Sequence, residues 1–354
     1  IVFDGHEEHQ TCEGPKFYKR NGYYYIFHPA GGVPTGWQVV QRSKSVYGPY
    51  EWRTVLAQGK TEINGPHQGA WVTTQTGEDW FLHFQDVGAY GRLVHLQPMT
   101  WKEDWPVVGV DKDGDGCGEP VLTYRKPNVG ATYPRCTPQE SDEFDGYTLQ
   151  PQWQWHANIN EKWAWYAGEK GSVRLYPYPV PADYKNLWDV SNLLLQKTPA
   201  PQFTATMKLT FTPDKRYTGE RTGLLVMGLD YAGLLLENRA EGLVLSQVSC
   251  KEAKRGTAEE NHGEVKLSNG TVWLQARFAD TGKKIQKSEG GHDQLILCRF
   301  SYSTDGKKFH PLGEPFQVRE GQWIGAKVGT FCTRPAKKVN DGGWSDVDWF
   351  RISK

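Results

Sequence analysis

The stretch GPKFYKRNGYYYIFHP at residues 14–29 is typical of a β-hairpin, because strand-forming residues flank a turn at Asn21-Gly22. A second stretch, GAWVTTQTGEDWFLHFQ at residues 69–85, has the same form. Each hairpin is followed by another strand-like segment, WQVVQRSKSVYGPYEW at residues 37–52 and GRLVHLQPMTWKEDWP at residues 91–106. A unit of about 55 residues therefore occurs twice, and this period predicts the blades of a β-propeller.

The remainder of the chain has a different pattern. Longer segments in which apolar and polar residues alternate include FTATMKLTFTP at residues 203–213 and TVWLQARFA at residues 271–279. A further hairpin is expected around Asp305-Gly306, and DVDWFRI at residues 346–352 is the last predicted strand. Alternation with frequent turn signals predicts an antiparallel sandwich. We therefore predict an all-β chain with two domains, residues 1–140 and residues 141–354.

Composition excludes several classes of partner. Lys and Arg together number 41, as do Asp and Glu, so the net charge is zero. We expect neither nucleic acid nor a membrane as a partner, because the chain is not basic and has no apolar run of about 18 residues. The six cysteines form no C-x-x-C pair, which argues against a zinc site. They are compatible with three disulfides or with six buried thiols.

A carboxylate immediately precedes the first hairpin. Glu13 lies directly before Gly14-Pro15, and the first predicted strand begins two residues later. A loop at the end of a rigid strand is a place where a catalytic acid can be aimed. A solvated surface carboxylate is the other interpretation, and the residues alone leave both open.

Taken in order, these motifs resemble glycoside hydrolase family 43. EGPKFYKRNGYYYIF, GPHQGAWVTTQTGEDWFLHF and GRLVHLQPMTWKEDWPV resemble the later part of its five-bladed propeller. SDEFDGYTLQPQWQWHAN, FSYSTDGKKFHPLGEPF and GGWSDVDWFRI resemble strands of the concanavalin-like jelly-roll sandwich that follows it in β-xylosidases and α-L-arabinofuranosidases. The resemblance implies an inverting glycosidase, which uses one carboxyl group as acid and another as base.

The resemblance also implies roles for particular residues. Glu13, in the E-G-P motif, corresponds to the catalytic acid, and apolar surroundings are expected to raise its pKa. His67 corresponds to a histidine beneath the sugar, near a calcium ion reached through water. Arg92 corresponds to an arginine of the sugar subsite. Trp37, Trp71 and Phe84 are candidates to line the sugar pocket, although core packing is expected for at least two of them.

The family places its base and a third carboxylate, which tunes the acid, upstream of the E-G-P motif. Asp4 is the only Asp among the twelve residues before Glu13, and it is too close in sequence to be either partner. We therefore expect that the chain lacks an N-terminal propeller segment, being a fragment or requiring a complementing chain. By itself it is expected to show little or no hydrolysis.

Other acidic groups are candidates for a structural Ca²⁺ ion. In DKDGDGCGEP, Asp111, Asp113 and Asp115 occupy positions 1, 3 and 5 of a calcium-loop pattern, but Leu122 stands at position 12, where a Glu is needed. A polar turn is the favoured interpretation. A calcium ion between the first and last sandwich strands is a second hypothesis, involving Asp142, Glu143, Asp346 and Asp348. No cofactor is expected to be required for activity.

The expected activity is release of α-L-arabinofuranosyl or β-D-xylosyl residues from plant hemicellulose, with a cell-wall polysaccharide or oligosaccharide as partner. The alternative is a non-catalytic protein that binds xylan or arabinan. The sandwich is expected to support the propeller and to lend a loop to the rim of the site, with NHG at residues 261–263 and GGHD at residues 290–293 as candidates. Such a protein is expected to be secreted or periplasmic.

Overall fold

The computed structural model describes residues 1–199, 201–286, 292–336 and 342–354. Within these ranges the chain is all-β, as predicted, and forms two compact units. One unit contains Ile1–Val87 and Arg92–Cys136, and the other contains Gly88–Gly91, Thr137–Ile285 and Gln294–Lys354. No helix in the described residues is both long enough and apolar enough to span a membrane. The predicted domain limits at 140 and 141 stay a prediction, close to the change of unit between Cys136 and Thr137.

The first unit contains two four-stranded antiparallel sheets, each a meander in sequence order. The strands of the first sheet are β1 (Lys16–Arg20), β2 (Tyr23–Ala30), β3 (Trp37–Ser43) and β4 (Glu51–Leu56). Those of the second are β5 (His67–Thr73), β6 (Asp79–Asp86), β7 (Arg92–Lys102) and β8 (Trp105–Val108). The two repeats found in the sequence are therefore two sheets of the same topology, as expected for propeller blades.

The turn chemistry of the first hairpin matches its sequence. Asn21 and Gly22 both have positive φ angles, 47° and 78°, which is the conformation of the two-residue turn that joins twisted strands. The strands it joins bury Tyr25 and Phe27 completely. Phe27 stacks on Phe81 of the second sheet with ring centroids 6.0 Å apart, so one aromatic core serves both sheets.

The second unit is a sandwich of two eight-stranded sheets. One sheet has the order β10-β11-β24-β14-β19-β20-β21, with β22 also paired to β20, and its strands are β10 (Ala164–Tyr166), β11 (Val173–Leu175), β14 (Phe203–Thr212), β19 (Thr271–Gln286), β20 (His292–Ser303), β21 (His310–Pro311), β22 (Phe316–Val318) and β24 (Trp344–Ser353). The other has the order β18-β17-β16-β15-β23-β13-β9, with β12 paired to β23, and its strands are β9 (Gln154–Trp155), β12 (Tyr178–Pro179), β13 (Leu193–Lys197), β15 (Arg221–Met227), β16 (Tyr231–Arg239), β17 (Gly242–Cys250), β18 (Glu260–Leu267) and β23 (Lys327–Arg334).

Alternation along β14 shows how the sequence builds this sandwich. Phe203, Ala205, Met207, Leu209 and Phe211 are buried, whereas the residues between them are partly exposed. The predicted last strand lies centrally, as β24, between β11 and β14. Helical structure in the described residues consists of short 3-10 turns at Gly88–Tyr90, Gly168–Lys170, Leu187–Asp189 and Ala253–Arg255.

The six cysteines are free thiols, so the alternative of three disulfides is wrong. The alternative of six buried thiols is wrong as well, because Cys12 and Cys136 are exposed. Cys250, Cys298 and Cys332 are buried in the sandwich, where burial raises the pKa of each thiol. They pack as small apolar side chains.

Candidate active site

The fold brings the Glu13 carboxylate to the start of the second sheet. Its Oε1 atom lies 2.8 Å from Nε2 of His67, the first residue of β5, and accepts a second hydrogen bond of 2.9 Å from the side-chain amide of Gln68. The side chain of Glu13 is 49% exposed, whereas that of His67 is 1% exposed. A buried group therefore holds a carboxylate that is open to solvent on its other side.

Irregular backbone makes this contact possible. A β-bulge interrupts the pairing of β5 with β6 between His67 and Ala70, and Gln68 lies in it with a φ of 53°. Such a bulge re-aims side chains, and a non-glycine residue in this conformation is strained, which is commonest at functional sites. Gly14 also has a positive φ, and a Cβ atom there would overlap the amide of Gln68. This explains the glycine in the E-G-P motif.

The electrostatics of Glu13 differ from the expectation drawn from the resemblance. The hydrogen bond from His67 lowers the pKa of the Glu13 carboxyl below its ordinary value, and Gln68 and the charge of Arg92 act in the same direction. Burial opposes them but does not prevail, because the carboxylate is half exposed. The expected rise of this pKa is therefore wrong for the chain as described.

His67 is held in one neutral form. Burial lowers the pKa of His67, although the nearby Glu13 carboxylate opposes the shift. Since an ionised carboxylate only accepts hydrogen bonds, the proton of the neutral ring lies on Nε2. The other ring nitrogen, Nδ1, is buried and has no hydrogen-bond partner among the described residues. A Cβ atom on Gly36 would lie 2.8 Å from it, so the backbone of Gly36 passes close by.

Arg92 and Phe84 lie beside this pair. The Arg92 guanidinium is 4.6 Å from the centroid of the Phe84 ring, and that ring is 5.7 Å from the ring of His67. His67 and Phe84 are cross-strand partners in β5 and β6, and Arg92 is the first residue of β7. Three neighbouring strands thus place a histidine, an aromatic ring and a cation at one end of the sheet, where Glu13 contacts the histidine.

The two candidate tryptophans make contacts of other kinds. Trp71 packs against Tyr18 and Phe27 in the shared core, and its Nε1 donates a 2.8 Å hydrogen bond to Asp79. Trp37 donates a 3.2 Å hydrogen bond from Nε1 to Nδ1 of His9. The structure therefore brings together Glu13, His67, Arg92 and Phe84, while the roles proposed for all of them stay predictions.

Sequence reasoning overlooked Gln68 and His9. Gln68 is adjacent to the candidate His67 but carries no motif of its own, because only the bulge turns it towards Glu13. His9 belongs to the segment just before Glu13, in which Gly5, His6, His9, Gln10, Thr11 and Cys12 line a cavity of about 460 Å³. In the same segment, Sγ of Cys12 lies 2.9 Å from Nδ1 of His28, which is buried.

The remaining acidic candidates have protein partners. Asp4 bonds to His6, and both are exposed. Asp111, Asp113 and Asp115 come close together, and Asp111 accepts hydrogen bonds from the backbone of Gly114 and Gly116. In the sandwich, four carboxylates proposed around calcium each have a partner of their own, in the pairs Asp142–Trp153, Glu143–Arg351, Asp346–Arg174 and Asp348–Lys208.

The structure describes all of one candidate rim loop and only part of the other. His262, in NHG, is placed in the sandwich near Ser249. Gly290 and Gly291, in GGHD, lie outside the described residues.

Comparison with known proteins finds a matching family model for each of the two units. Residues 2–106 match the family model Glycosyl hydrolases family 43, and residues 141–353 match the Beta xylosidase C-terminal Concanavalin A-like domain. The chain is 38% identical over 330 residues to a putative beta-xylosidase of Xylanibacter ruminicola, covering 92% of this chain and 56% of that protein. It is 30% identical over 266 residues to a non-reducing end alpha-L-arabinofuranosidase of Bacteroides ovatus, covering 68% and 46%.

A solved structure of a family 43 protein has a similar fold. A variant of a family 43 protein from Bacillus licheniformis superposes with a TM-score of 0.77 at 25% identity, covering 99% of this chain and 66% of that one. The predicted fold class, propeller blades followed by a concanavalin-like sandwich, is confirmed. The chain spans between 56% and 59% of the length of the first three curated relatives it matches.

Proposed function

This chain belongs to glycosyl hydrolases family 43, and we propose that it carries the proton donor of a glycosidase that releases β-D-xylosyl or α-L-arabinofuranosyl residues from plant hemicellulose. The observation that supports this most directly is the position of Glu13. Its carboxyl group is open to solvent on one side and held by His67 and Gln68 on the other.

In this proposal Glu13 protonates the leaving oxygen of the glycosidic bond. The proton moves from the Glu13 carboxyl to that oxygen as the bond to the anomeric carbon breaks, and a water attacks the opposite face of the sugar. A second carboxylate must take the proton of that water.

The hydrogen bonds to Glu13 affect the two halves of its cycle differently. They stabilise the carboxylate that remains after proton transfer, and they disfavour the protonated form that begins it. A bound sugar that displaces water from the exposed side of Glu13 would raise its pKa and restore the acid. We therefore propose that substrate binding, rather than the free chain, sets the working pKa.

Arg92 is proposed to bind the sugar. Its guanidinium offers several N–H donors, and stacking on Phe84 limits the orientations it can adopt. The names of the relatives, beta-xylosidase and alpha-L-arabinofuranosidase, support a pentose as the sugar that is released.

The unpartnered Nδ1 atom of His67 fits the proposed calcium contact. Since the ring proton is on Nε2, Nδ1 can accept a hydrogen bond from a water molecule. Such a water in the shell of a Ca²⁺ ion would orient the ring, and the ion would add positive charge beneath the sugar.

We likewise propose a secreted or periplasmic location, where the polymer substrate is found.

The test compares two leaving groups. Glu13→Gln should lower kcat/KM for xylobiose by about 10²–10⁴-fold, the usual contribution of a general acid. It should affect 2,4-dinitrophenyl β-D-xyloside far less, because that leaving group departs without a proton. The protein should be purified from its native source, so that any further segment of the gene product is retained.

Two results would count against the proposal. Equal losses on both substrates would remove Glu13 from the role of acid. Binding of xylo-oligosaccharides without hydrolysis by the native protein would favour the alternative of a non-catalytic carbohydrate-binding protein.

A further inference from the structure

A cleft of about 270 Å³ lies in the sandwich and includes His262 of the candidate loop NHG. We call it the edge cleft, because it opens between β17 and the edge strand β18 of one sheet and β22 of the other. Its lining includes Asp230, Gln247, Ser249, His262, Phe316 and Arg319. The edge cleft is open to solvent at the side of the sandwich.

The floor of the edge cleft is polar where a sandwich core would be apolar. Alternate residues of β17 that face the second sheet are Leu243 and Leu245, followed by Gln247 and Ser249. Gln247 is 1% exposed and Ser249 is 7% exposed. Polar side chains at such positions are informative, because burying them costs free energy that a further pair of apolar residues would avoid.

A β-bulge turns a histidine towards this floor. In the pairing of β17 with β18, Gln247 opposes Gly263 and Val248 opposes Asn261, so His262 is the extra residue of the bulge. Its Nε2 atom lies 2.7 Å from the Ser249 hydroxyl. Bulges at sheet edges commonly re-aim one side chain, and this one adds an imidazole to the cleft.

The opposite wall adds charges of both signs. Asp230 is buried and lies 3.2 Å from Nη1 of Arg319. Lys251, Glu260 and Glu314 are exposed at the rim. The three carboxylates in the lining disfavour an anion, and the arginine and lysine disfavour a metal cation. A neutral ligand that both donates and accepts hydrogen bonds fits this set.

A sugar ring is such a ligand. Each hydroxyl can donate to a carboxylate and accept from an arginine, lysine or imidazole. Its C–H face can pack on apolar side chains, here Pro315 and Phe316. The cleft is slightly smaller than the roughly 300–1,000 Å³ of typical small-molecule pockets, which suits one ring. We propose that the edge cleft is a second, non-catalytic binding site for one neutral sugar unit of a hemicellulose chain.

The experiment follows His262 directly. The Arg92→Ala chain is labelled with ¹³C-histidine, and the imidazole signal of His262 is assigned by comparison with His262→Gln. The labelled chain is then titrated with D-xylose, L-arabinose and xylotriose. We expect a saturable shift of the His262 signal with a Kd on the order of 1 mM, as for a weak ligand with few hydrogen bonds. The Arg92→Ala change limits binding at the candidate active site.

Affinities of the variants are measured by ligand-observed NMR. His262→Ala should weaken binding by about tenfold, which is the loss of roughly one hydrogen bond. Lys251→Ala, at an exposed position where folding is not at risk, should weaken it several-fold. The matched control is Lys266→Ala, exposed on β18, the strand of His262, but outside the lining of the cleft, which should change the Kd less than about twofold.

Three outcomes would overturn the proposal. They are the absence of a His262 shift at 100 mM sugar, an unchanged Kd in both His262→Ala and Lys251→Ala, and a shift caused by glucuronate but not by xylose. The last would indicate an anion site instead. None of these outcomes bears on the role of Glu13, which is tested by hydrolysis.

Discussion

The buried imidazole of His67 lies 2.8 Å from the half-exposed carboxylate of Glu13, although the two residues are 54 positions apart in sequence. Because the hydrogen bond forms to the ionised carboxylate, it lowers the pKa of Glu13. A group with a lowered pKa contributes to stability above its unfolded-state pKa, and this contribution is lost as the pH falls through the folded-state value. The same contact therefore links the candidate acid to the stability of the first unit.

Removing His67 should raise the pKa of Glu13 towards its ordinary value. The measurement is a pH titration of the Glu13 carboxyl carbon by ¹³C NMR in His67→Ala and in the unaltered chain. His95→Gln is a suitable control, since His95 bonds to Gln85 and not to Glu13. An unchanged Glu13 titration in His67→Ala would show that another group sets its pKa.

The stability of the first unit should fall between pH 7 and pH 5 because of His83. Burial lowers the pKa of His83 from 6.5 to about 4. The unfolded chain therefore takes up a proton near pH 6.5 while the folded chain does not, and unfolding becomes favoured as the pH falls. The two pKa values predict a loss of about 2 kcal/mol over this range from His83 alone.

Urea unfolding at pH 7 and pH 5 measures this loss. In His83→Gln the difference between the two pH values should be smaller by about that amount, whatever the absolute stability of the variant. Gln can replace the contacts of His83 with the Phe84 carbonyl and the Gln97 amide. An equal pH dependence in both proteins would contradict the assignment to His83.

Trp71 should matter for stability and not for sugar binding. Its indole N–H donates to Asp79, which also accepts hydrogen bonds from Trp101 and Thr73. Trp71→Phe leaves Asp79 with one donor fewer and removes core volume, so we expect a loss of about 1–3 kcal/mol. Arg92→Ala is the complementary variant and should weaken sugar binding with little effect on unfolding. A Trp71→Phe protein that unfolds normally but binds sugar poorly would place Trp71 in the sugar pocket.

The loop containing Asp111, Asp113 and Asp115 should bind Ca²⁺ only weakly. Both oxygens of Asp111 accept backbone hydrogen bonds, and Leu122 stands where a calcium loop needs a bidentate carboxylate. Calorimetric titration should show no saturable heat below about 1 mM Ca²⁺, the weak end of protein calcium sites. A saturable heat that disappears in Asp113→Ala would establish a structural calcium site instead.

Much of the fold could be predicted because its signals are local. The Asn21-Gly22 turn, the repeat of the hairpin at residues 69–85 and the alternation along Phe203–Thr212 each lie within one segment. A strand places successive side chains on opposite faces, so a short pattern already reports which residues are buried. Within the candidate site, the resemblance of the E-G-P motif to the family was enough to single out Glu13 as a candidate.

The chemistry of the site depended on contacts that no local pattern contains. The sequence by itself determined the strands and the turns. Its resemblance to the family supplied the site candidates Glu13, His67, Arg92, Trp37, Trp71 and Phe84. Only the tertiary structure decided that Gln68 also holds Glu13, that the pKa of Glu13 falls, and that Trp71 joins the core. The edge cleft could likewise not be predicted from the sequence, because a bulge that only the structure shows brings His262 to it. Hydrogen bonds, burial and charge act through space, and they are set by how sheets and bulges bring distant residues together.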